Sequence, residues 1–527
     1  MWEEYCRLVK KLVVEKKLSI WNEVLDRANS DYESDRNEFW AFVGRRTKGK
    51  KQAISALNNS ARVSVSSTKD KLQIFKEHYQ CLGTSSVDEA FDEDWKQVVE
   101  CRMRDCVSVS SGYEDSVLDG EIETGEISRC LCSLKNNKTG GSDGLVGKLL
   151  KYGGSGMVDL LHKLFSVVWH EELVPPQWRQ GLIVNLFKKG DKEDPGNYRG
   201  ITLLSVIGKV FCKIINNRLV DHLDKGGLLH EGQAGFRVKR GCVDNVYTLN
   251  ELVQGRLREG KRTYAFFLDV KKAYDTVWRD GLWLKLWEMG VKGKMWRVVK
   301  TMYESSRSAV LLDGEQSAAF SVDQGVAQGC SLSPILFSVF INDLLKEVDQ
   351  AGLGLELSNG TKIGGMLFAD DFVGVCDSPQ DLQKLIDVVY AYCGKWRLKA
   401  NVSKSAVMVF AKDSVDGSWK WGQHALPKVS KYTYLGIDFE CNGAWDAHVK
   451  KVIDSGRRKV NQLHSVISNR GVDLSARTLL LLSVRPTLEY GSEVWEGNKN
   501  QAASLESVML GGLSVFLDVL QEHVMRQ

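Results

Sequence analysis

Between residues 262 and 440 short apolar runs alternate with amphipathic stretches. "TYAFFLDV", "SAVMVFA" and "YTYLGIDF" are rich in β-branched and aromatic residues and read as strands, while "SAVLLDG" and "FSVDQGVAQG" read as strand and loop. "SPILFSVFINDLLKEV" and "PQDLQKLIDVVYAYCGKW" carry apolar residues at three- and four-residue spacing and read as helices, and "MLFADDFVGVC" as a hairpin. Upstream, one strand is clear, "GLIVNLF" at 181–187, followed by the turn "KKGDKEDPGNYRG", the helix "SVIGKVFCKIINNRLVDHLDK" and the loop "GQAGFRVKRGCVDN". Residues 1 to about 110 are polar and helical in pattern, as in "DRNEFWAFVGRR" and "STKDKLQIFKEHYQCL", with the loop "NNSARVSVSST" between them. A Ser/Gly-containing stretch near 108–125 reads as a linker, and residues from about 443 onward as helical and at first basic. Strands and helices interleave without a βαβ glycine fingerprint, which predicts an α+β fold around an antiparallel sheet.

Composition narrows the class. The chain has 527 residues, 43% hydrophobic and 26% charged, enough apolar content for sizeable cores. A net charge of +4 says little about a polyanionic partner, although "KLVVEKK", "GRRTKGKK" and "KKVIDSGRRK" concentrate cations locally. Twelve cysteines occur without a CxxC pair, which excludes a zinc knuckle or disulfide framework and fits a reducing compartment. The charged N-terminus lacks a signal-peptide apolar core, and no run approaches the ~20 apolar residues of a spanning helix. The expectation is an intracellular, soluble protein with no membrane partner; no protein partner is identifiable.

"FADD" places Asp370 and Asp371 side by side between apolar runs, and Asp269 ends the strand "AFFLDV". At neighbouring strand ends the three could converge as oxygen ligands, a crowding that cations relieve. Two divalent ions ~3.5–4 Å apart clamp an in-line phosphoryl displacement. Taken alone, the tetrapeptide reads more readily as a surface Asp-Asp turn than as a metal site.

Its neighbours decide between these. "LKNNKTGGSDGLVGKLLK", "LIVNLFKKGDKEDPGNYRGITLLSVIGKVF", "HEGQAGFRVKRGCVDNVYTL", "FFLDVKKAYDTVW", "GVAQGCSLSPILFSVFINDL", "FADD", "LKANVSKSAVMVF" and "YTYLGIDF" occur in one order, followed by "VRPTLEYGSEVW". In that order, from about residue 115 to 510, the chain resembles the reverse transcriptase of non-LTR (LINE-type) retrotransposons. The resemblance implies a right-hand polymerase: a helical basic N-terminal extension (1–110), fingers (111–260), palm (261–440) and a helical thumb-like region (441–527). It implies two Mg2+ ions, with Mn2+ as a possible substitute, an RNA template, a DNA primer or target DNA, dNTPs, and a nuclear location. The sequence itself shows no nucleus-directing feature.

By the same resemblance Asp269 and Asp370 are the principal metal ligands, Asp371 a secondary one, and the Val270 carbonyl completes one shell. Tyr274 matches an aromatic beneath the incoming sugar, where it would clash with a ribose 2′-hydroxyl; from the residues alone it is as well a core aromatic. Lys188, Lys189 and Arg199 are triphosphate contacts, an arginine being able to bind phosphate bidentately; "KKGDK" alone is also just a charged turn. Gly200 stands where many relatives carry proline, a departure expected to change loop stiffness. Gln328 and Gly329 allow close backbone approach to template and nucleotide, and Ser331 or Ser333 are candidate caps of the helix near Pro334. Lys404 matches the lysine that protonates departing pyrophosphate, although lysines usually face solvent. Arg237, Lys239, Arg240, Lys450, Lys451, Arg457, Arg458 and Lys459 are candidate nucleic-acid contacts, since a polymerase grips phosphates rather than bases. Leu435 and Gly436 match the primer-grip turn.

Two competing readings stand beside this one. The first ~110 residues hold no endonuclease set, no C-terminal Cys/His knuckle is present, and the tail leaves the family pattern after about Gly512. That pattern fits a fragment lacking the endonuclease, with a truncated thumb, or a weak or inactive RNA-binding remnant or domesticated retroelement protein. A different palm polymerase, of a group II intron or an RNA virus, is the other, and Tyr274 argues against an RNA-synthesising one.

Overall fold

The computed structural model describes residues 54–524, except 60, 86, 116, 358–359, 414–415, 468–471, 473 and 496–498, together with a few positions before 54. The helical reading of "DRNEFWAFVGRR" and the basic cluster "GRRTKGKK" lie almost wholly outside the described residues. The chain divides into two compact units, one spanning Ile54–Leu435 and a second that includes everything from Gly436 onward.

The first unit is mixed α/β. Its main elements are α1 (Thr68–Gly83), α2 (Glu93–Ser110), α3 (Thr124–Cys132), α4 (Gly154–Glu171), β1 (Gln180–Phe187), β2 (Tyr198–Leu203), α5 (Val206–Lys225), α6 (Cys242–Arg258) and β3 (Thr263–Leu268). There follow α7 (Arg279–Glu288), α8 (Gly293–Thr301), β4 (Arg307–Leu312), α9 (Ser333–Ile341), α10 (Asp343–Gln350), β5 (Gly365–Phe368), β6 (Asp371–Cys376), α11 (Pro379–Lys395) and β7 (Ala406–Phe410).

Four antiparallel strands, in the order β5-β6-β3-β7, form the sheet that carries the acidic residues. β3 is buried at every position, which is why "TYAFFL" is continuously apolar instead of alternating. A second sheet is not purely antiparallel: β1 pairs antiparallel with β2 but parallel with β4. The turn "KKGDKEDPGNYRG" ends earlier than its composition suggests, because Tyr198 onward pairs with Phe187 backward as a strand. The stretch read as a linker near 108–125 is packed structure. Asp119 accepts from the backbone N–H groups of Met295 (2.8 Å) and Lys294 (3.1 Å) at the start of α8, and Leu118 and Ile122 are buried.

One core runs under the acidic sheet, from α2–α5 through α7–α11. At its centre Lys285 is fully buried; its ammonium meets Asp343 Oδ1 (2.6 Å), Tyr392 Oη (2.8 Å) and the Phe340 carbonyl (2.5 Å), with Trp396 3.6 Å away. "SPILFSVFINDLLKEV" is two helices, split at the buried Asn342, whose amide bonds to the Leu228 carbonyl and whose oxygen accepts from His230 N–H. Neither Ser331 nor Ser333 caps α9. Ser331 reaches the Lys209 carbonyl and Ser333 faces the Tyr303 hydroxyl, so Leu332 takes the cap position without a side-chain bond.

In the second unit the main helices are α12 (Asp446–Ile467), α13 (Leu474–Leu482) and α14 (Lys499–Val524). Among the described residues no helix is long and apolar enough to cross a membrane.

Candidate active site

The hairpin joining β5 and β6 answers why two aspartates interrupt an apolar run. Its turn consists of Ala369 and Asp370, with Ala369 at φ 57, and Asp371 already sits in β6 opposite Phe368. Asp370 therefore leaves the tip while Asp371 leaves a strand. Phe372 pairs with Leu268, so this end of β6 lies beside the end of β3 and Asp269. The Asp269 backbone is clamped from the far side: its N–H donates to Ser405 Oγ (3.1 Å) and its carbonyl accepts from Asn401 N–H (2.7 Å).

The hairpin tip is buttressed by "HEGQAGF". Ala234 N–H donates to the Leu367 carbonyl (2.9 Å), and Gln233 Oε1 accepts from Ala369 N–H (3.2 Å) and Gly235 N–H (2.8 Å). A Cβ on Gly235 would stand 2.2 Å from the Ala369 nitrogen, so only glycine allows this approach.

These elements open onto a cleft of about 770 Å³ whose wall contains Lys188, Lys189, Arg199, Asp269, Val270, Tyr274, Gln328, Gly329, Asp370, Asp371 and Lys404. Every residue singled out for catalysis, metal ligation or nucleotide binding thus lies on one surface. Burial first, then Asp269, pushes the Asp370 carboxyl up; Asp371, though exposed at the rim, is pushed up to about 6 by desolvation, then by Asp370 and Asp269. Opposite charge gathers on the β1–β2 hairpin side. Burial, then Arg199, Lys272 and Lys404, lowers the Lys188 ammonium. Acids and cations line the same cleft, and Asp370, Asp371 and Lys188 are each shifted against their charged forms. Lys404 lies 3.9 Å from Asp269 Oδ2 and is largely exposed.

Among the described residues no group of three His, Cys, Asp or Glu side chains is close enough to form a metal cluster. The donor chemistry nevertheless fits a hard divalent cation: carboxylates around one hollow, Asp370 and Asp371 among them raised by burial and then by their acidic neighbours, with oxygen donors only. A consequence is measurable. In cation-free protein Asp371→Asn raises Tm at pH 7.5, because the native carboxyl, with its pKa raised to about 6 from 3.8, disfavours ionisation. That advantage shrinks as pH falls toward 4, where the native carboxyl regains its proton; a melting series that shows no pH-dependent gap contradicts it.

Tyr274 has both attributes weighed for it. Its ring stacks on Phe337 at 5.0 Å and 13°, with Phe236 edge-on at 6.4 Å, yet it lines the cleft. Gln328 donates to both Asp275 oxygens (3.1 and 3.2 Å), and its carbonyl accepts from Thr202 N–H (2.8 Å). Gly329 has φ 130, and a Cβ there would lie 2.5 Å from the Thr202 carbonyl oxygen. Gly200 lies inside β2 against the Tyr79 ring, where a Cβ would sit 2.8 Å from Cε1, so its role is close packing and not loop stiffness.

Sequence reasoning missed Asp275 and Lys272. Asp275 is raised mainly by burial and holds the Gln328 amide; Lys272, at φ 48, reaches the Gly196 and Tyr198 carbonyls at 3.4 Å. Both belong to "DVKKAYD", read for its first aspartate, the Val270 carbonyl and the tyrosine.

The remaining candidates are not among the residues that line the cleft. Arg237 is largely buried, bonded to the His230 and Gln233 carbonyls and facing Asp224 and Glu231, while Arg240 pairs with Glu231. Lys239 is exposed at φ 60. Leu435 and Gly436 both take positive φ (47 and 88), the backbone of a tight turn. In the second unit Lys451, Arg457 and Arg458 line one hollow and Lys450 and Arg457 another. Lys451 also donates to the buried Asp438 (2.5 Å), and Lys459 turns inward to the Ser483 carbonyl and Thr487 Oγ1.

Residues 187–439 match the family described as reverse transcriptase (RNA-dependent DNA polymerase). The chain carries a reverse transcriptase domain. It is 26% identical over 386 residues to a probable RNA-directed DNA polymerase from transposon BS of Drosophila melanogaster, covering 71% of this chain and 42% of that protein. Similarity to the RNA-directed DNA polymerase from mobile element jockey of Drosophila funebris is 21% over 469 residues, 87% of this chain and 49% of the relative. A retrovirus-related Pol polyprotein from type-1 retrotransposable element R2 of Nasonia vitripennis is 26% identical over 296 residues, 54% of this chain and 28% of the relative. The chain thus spans less than half the length of these curated relatives. The resemblance read from the ordered motifs is borne out, and the reverse transcriptase domain contains the whole acidic hairpin and both clamping segments.

Proposed function

We propose that the chain is an RNA-directed DNA polymerase that joins a primer 3′-hydroxyl to the α-phosphate of a dNTP on an RNA template. The observation that carries this is the cleft in which Asp269, Asp370 and Asp371 face the cationic group of Lys188 and Arg199. In this reading the β1–β2 side supplies fingers, the acidic sheet the palm and α12–α14 a thumb.

Asp269 and Asp370 would hold two Mg2+ ions, assisted by Asp371 and the Val270 carbonyl. Bound there, such ions supply activation of the attacking hydroxyl and charge neutralisation of the leaving oxygen. The chain's own residues do the rest. Arg199 and Lys188 bind the triphosphate, whose negative charge relieves their mutual repulsion. Tyr274, held on Phe337, occupies the space a ribose 2′-hydroxyl needs. Asp275, through Gln328, fixes the wall against which the nascent pair rests. Lys404 leaves Asp269 and donates a proton to pyrophosphate. Lys239, Lys450, Arg457 and Arg458 offer charge to nucleic-acid phosphates.

Divalent-dependent dNTP incorporation on a primed RNA template is the expected result, with little use of rNTPs. Tyr274→Val raises rNTP incorporation relative to dNTP by roughly tenfold or more, since a clash of a kcal/mol or two sets the discrimination. RNA binding without any incorporation would favour the remnant reading instead.

A further inference from the structure

Behind the cleft wall lies a second, half-enclosed chamber that the polymerase reading does not use. It is lined largely by apolar side chains, among them Trp178, Ile183, Phe320 and Val326, and it shares Asp275 and Gln328 with the cleft. Two cysteines, Cys212 and Cys330, line it together. Both are free thiols, nearly buried, and close enough that each acts on the other's ionisation.

The chain brings them together for stated reasons. Cys212 lies on α5 and Cys330 just before α9, and these helices pack against one another. Ser331 Oγ donating to the Lys209 carbonyl (3.4 Å) ties the two segments one residue from Cys330. The two thiols are electrically unlike. Hydrogen bonding from Cys212, supported by the Leu332 and Ser333 backbone N–H groups and by Lys209, pulls the Cys330 thiol down, while the same bond and burial push Cys212 up. Two neighbouring thiols, one more readily ionised than the other, are the arrangement in which one sulfur attacks and the other resolves.

We propose that Cys212 and Cys330 form a redox modification site, at which hydrogen peroxide entering the chamber converts the pair to a disulfide that slows nucleotide incorporation. Cys330 attacks one peroxide oxygen; an S–O bond forms, the O–O bond breaks, and the departing oxygen leaves as water. Cys212 then attacks the Cys330 sulfur; the S–S bond forms, the S–O bond breaks, and the second oxygen leaves as water. Two thiols are oxidised by two electrons and one peroxide is reduced, both thiol protons ending in water. A dithiol reductant reverses the step by exchange.

The effect on incorporation follows from the absence of slack at Cys330. Its neighbour Gly329 already stands against the Thr202 carbonyl with no room for a Cβ, and Gln328 is bonded to Thr202 and Asp275. Drawing Cys330 toward Cys212 shifts the segment that forms the cleft wall. This second half rests on the polymerase reading; the disulfide itself does not.

The test treats the full chain with hydrogen peroxide, blocks remaining thiols, and maps cross-linked peptides by mass spectrometry beside dNTP incorporation. Expected are a peptide joining Cys212 to Cys330, incorporation reduced by roughly fivefold or more, the scale of a one-kcal/mol coupling, and recovery with dithiothreitol. Cys212→Ala and Cys330→Ala each abolish the reversible loss. If the exposed Cys81, Cys101 and Cys132 are oxidised while no 212–330 peptide forms, the site is overturned. A disulfide formed with unchanged incorporation overturns the regulatory half. A chain without any incorporation fails the polymerase reading alone, because the cross-linked peptide still decides whether the site exists.

Discussion

Asp370→Asn lowers dNTP incorporation on a primed RNA template by roughly a thousandfold, the rate equivalent of losing several kcal/mol of metal-assisted charge stabilisation. Asparagine keeps the size of the side chain and its place in the turn, so the loss reads charge and not shape. Asp269→Asn has a comparable effect, because its backbone clamp to Ser405 and Asn401 survives the substitution. Asp371→Asn costs less, about tenfold, since this carboxylate stands at the rim on the strand itself, where burial and then Asp370 and Asp269 already disfavour its ionisation. The ranking separates catalysis from folding. Crowded carboxylates in a cation-free cleft repel, so neutralising one does not lower Tm, and single-turnover incorporation should collapse in a protein that melts no earlier than the parent. Undiminished extension by Asp370→Asn sinks the assignment.

How far could the sequence be trusted to find this site? The acidic residues were legible because Asp269 ends a strand buried at every position and "FADD" interrupts another; charge at such a place has few structural excuses. The cationic partners were legible through the ordered motifs. What stayed hidden depends on contacts between distant positions. Asp275 reads as an ordinary loop acid until Gln328 is seen to donate to it from 53 residues away. Arg237 and Arg240 read as phosphate contacts because Glu231 sits outside the cationic string, and pairing with an acid carries no period. Lys459 belongs to "GRRK" by composition, yet its head lies against the Ser483 carbonyl. The parallel β1–β4 pair was hidden for the same reason: it joins residues more than a hundred apart without a glycine fingerprint to announce a crossover. Local period gives elements, and tertiary partners decide what a charge is for.

Lys285 shows that decision at its most expensive, and Lys285→Met is expected to destabilise the first unit by about 3 kcal/mol in chemical denaturation. The alkyl chain of methionine fills much of the space between Phe340, Tyr392 and Trp396, so the cost is not chiefly a cavity. It comes from Asp343, left with the Tyr392 hydroxyl (2.7 Å) but no cation. Breaking a buried pair on one side costs about 3–5 kcal/mol, and the 30% exposure of the Asp343 side chain places this case at the low end. Removing both charges, as in Lys285→Met with Asp343→Asn, restores most of the loss. The pH dependence has a fixed sign. Burial pushes the Lys285 ammonium down to about 8 against the pull of Asp343, from 10.5. Between those values the unfolded chain holds the proton that the native state has released, so stability contributed at this position rises with pH. The gap between parent and Lys285→Met therefore widens from pH 8 toward 10, and a gap that narrows over that range would mean the ammonium is better solvated than its surroundings allow.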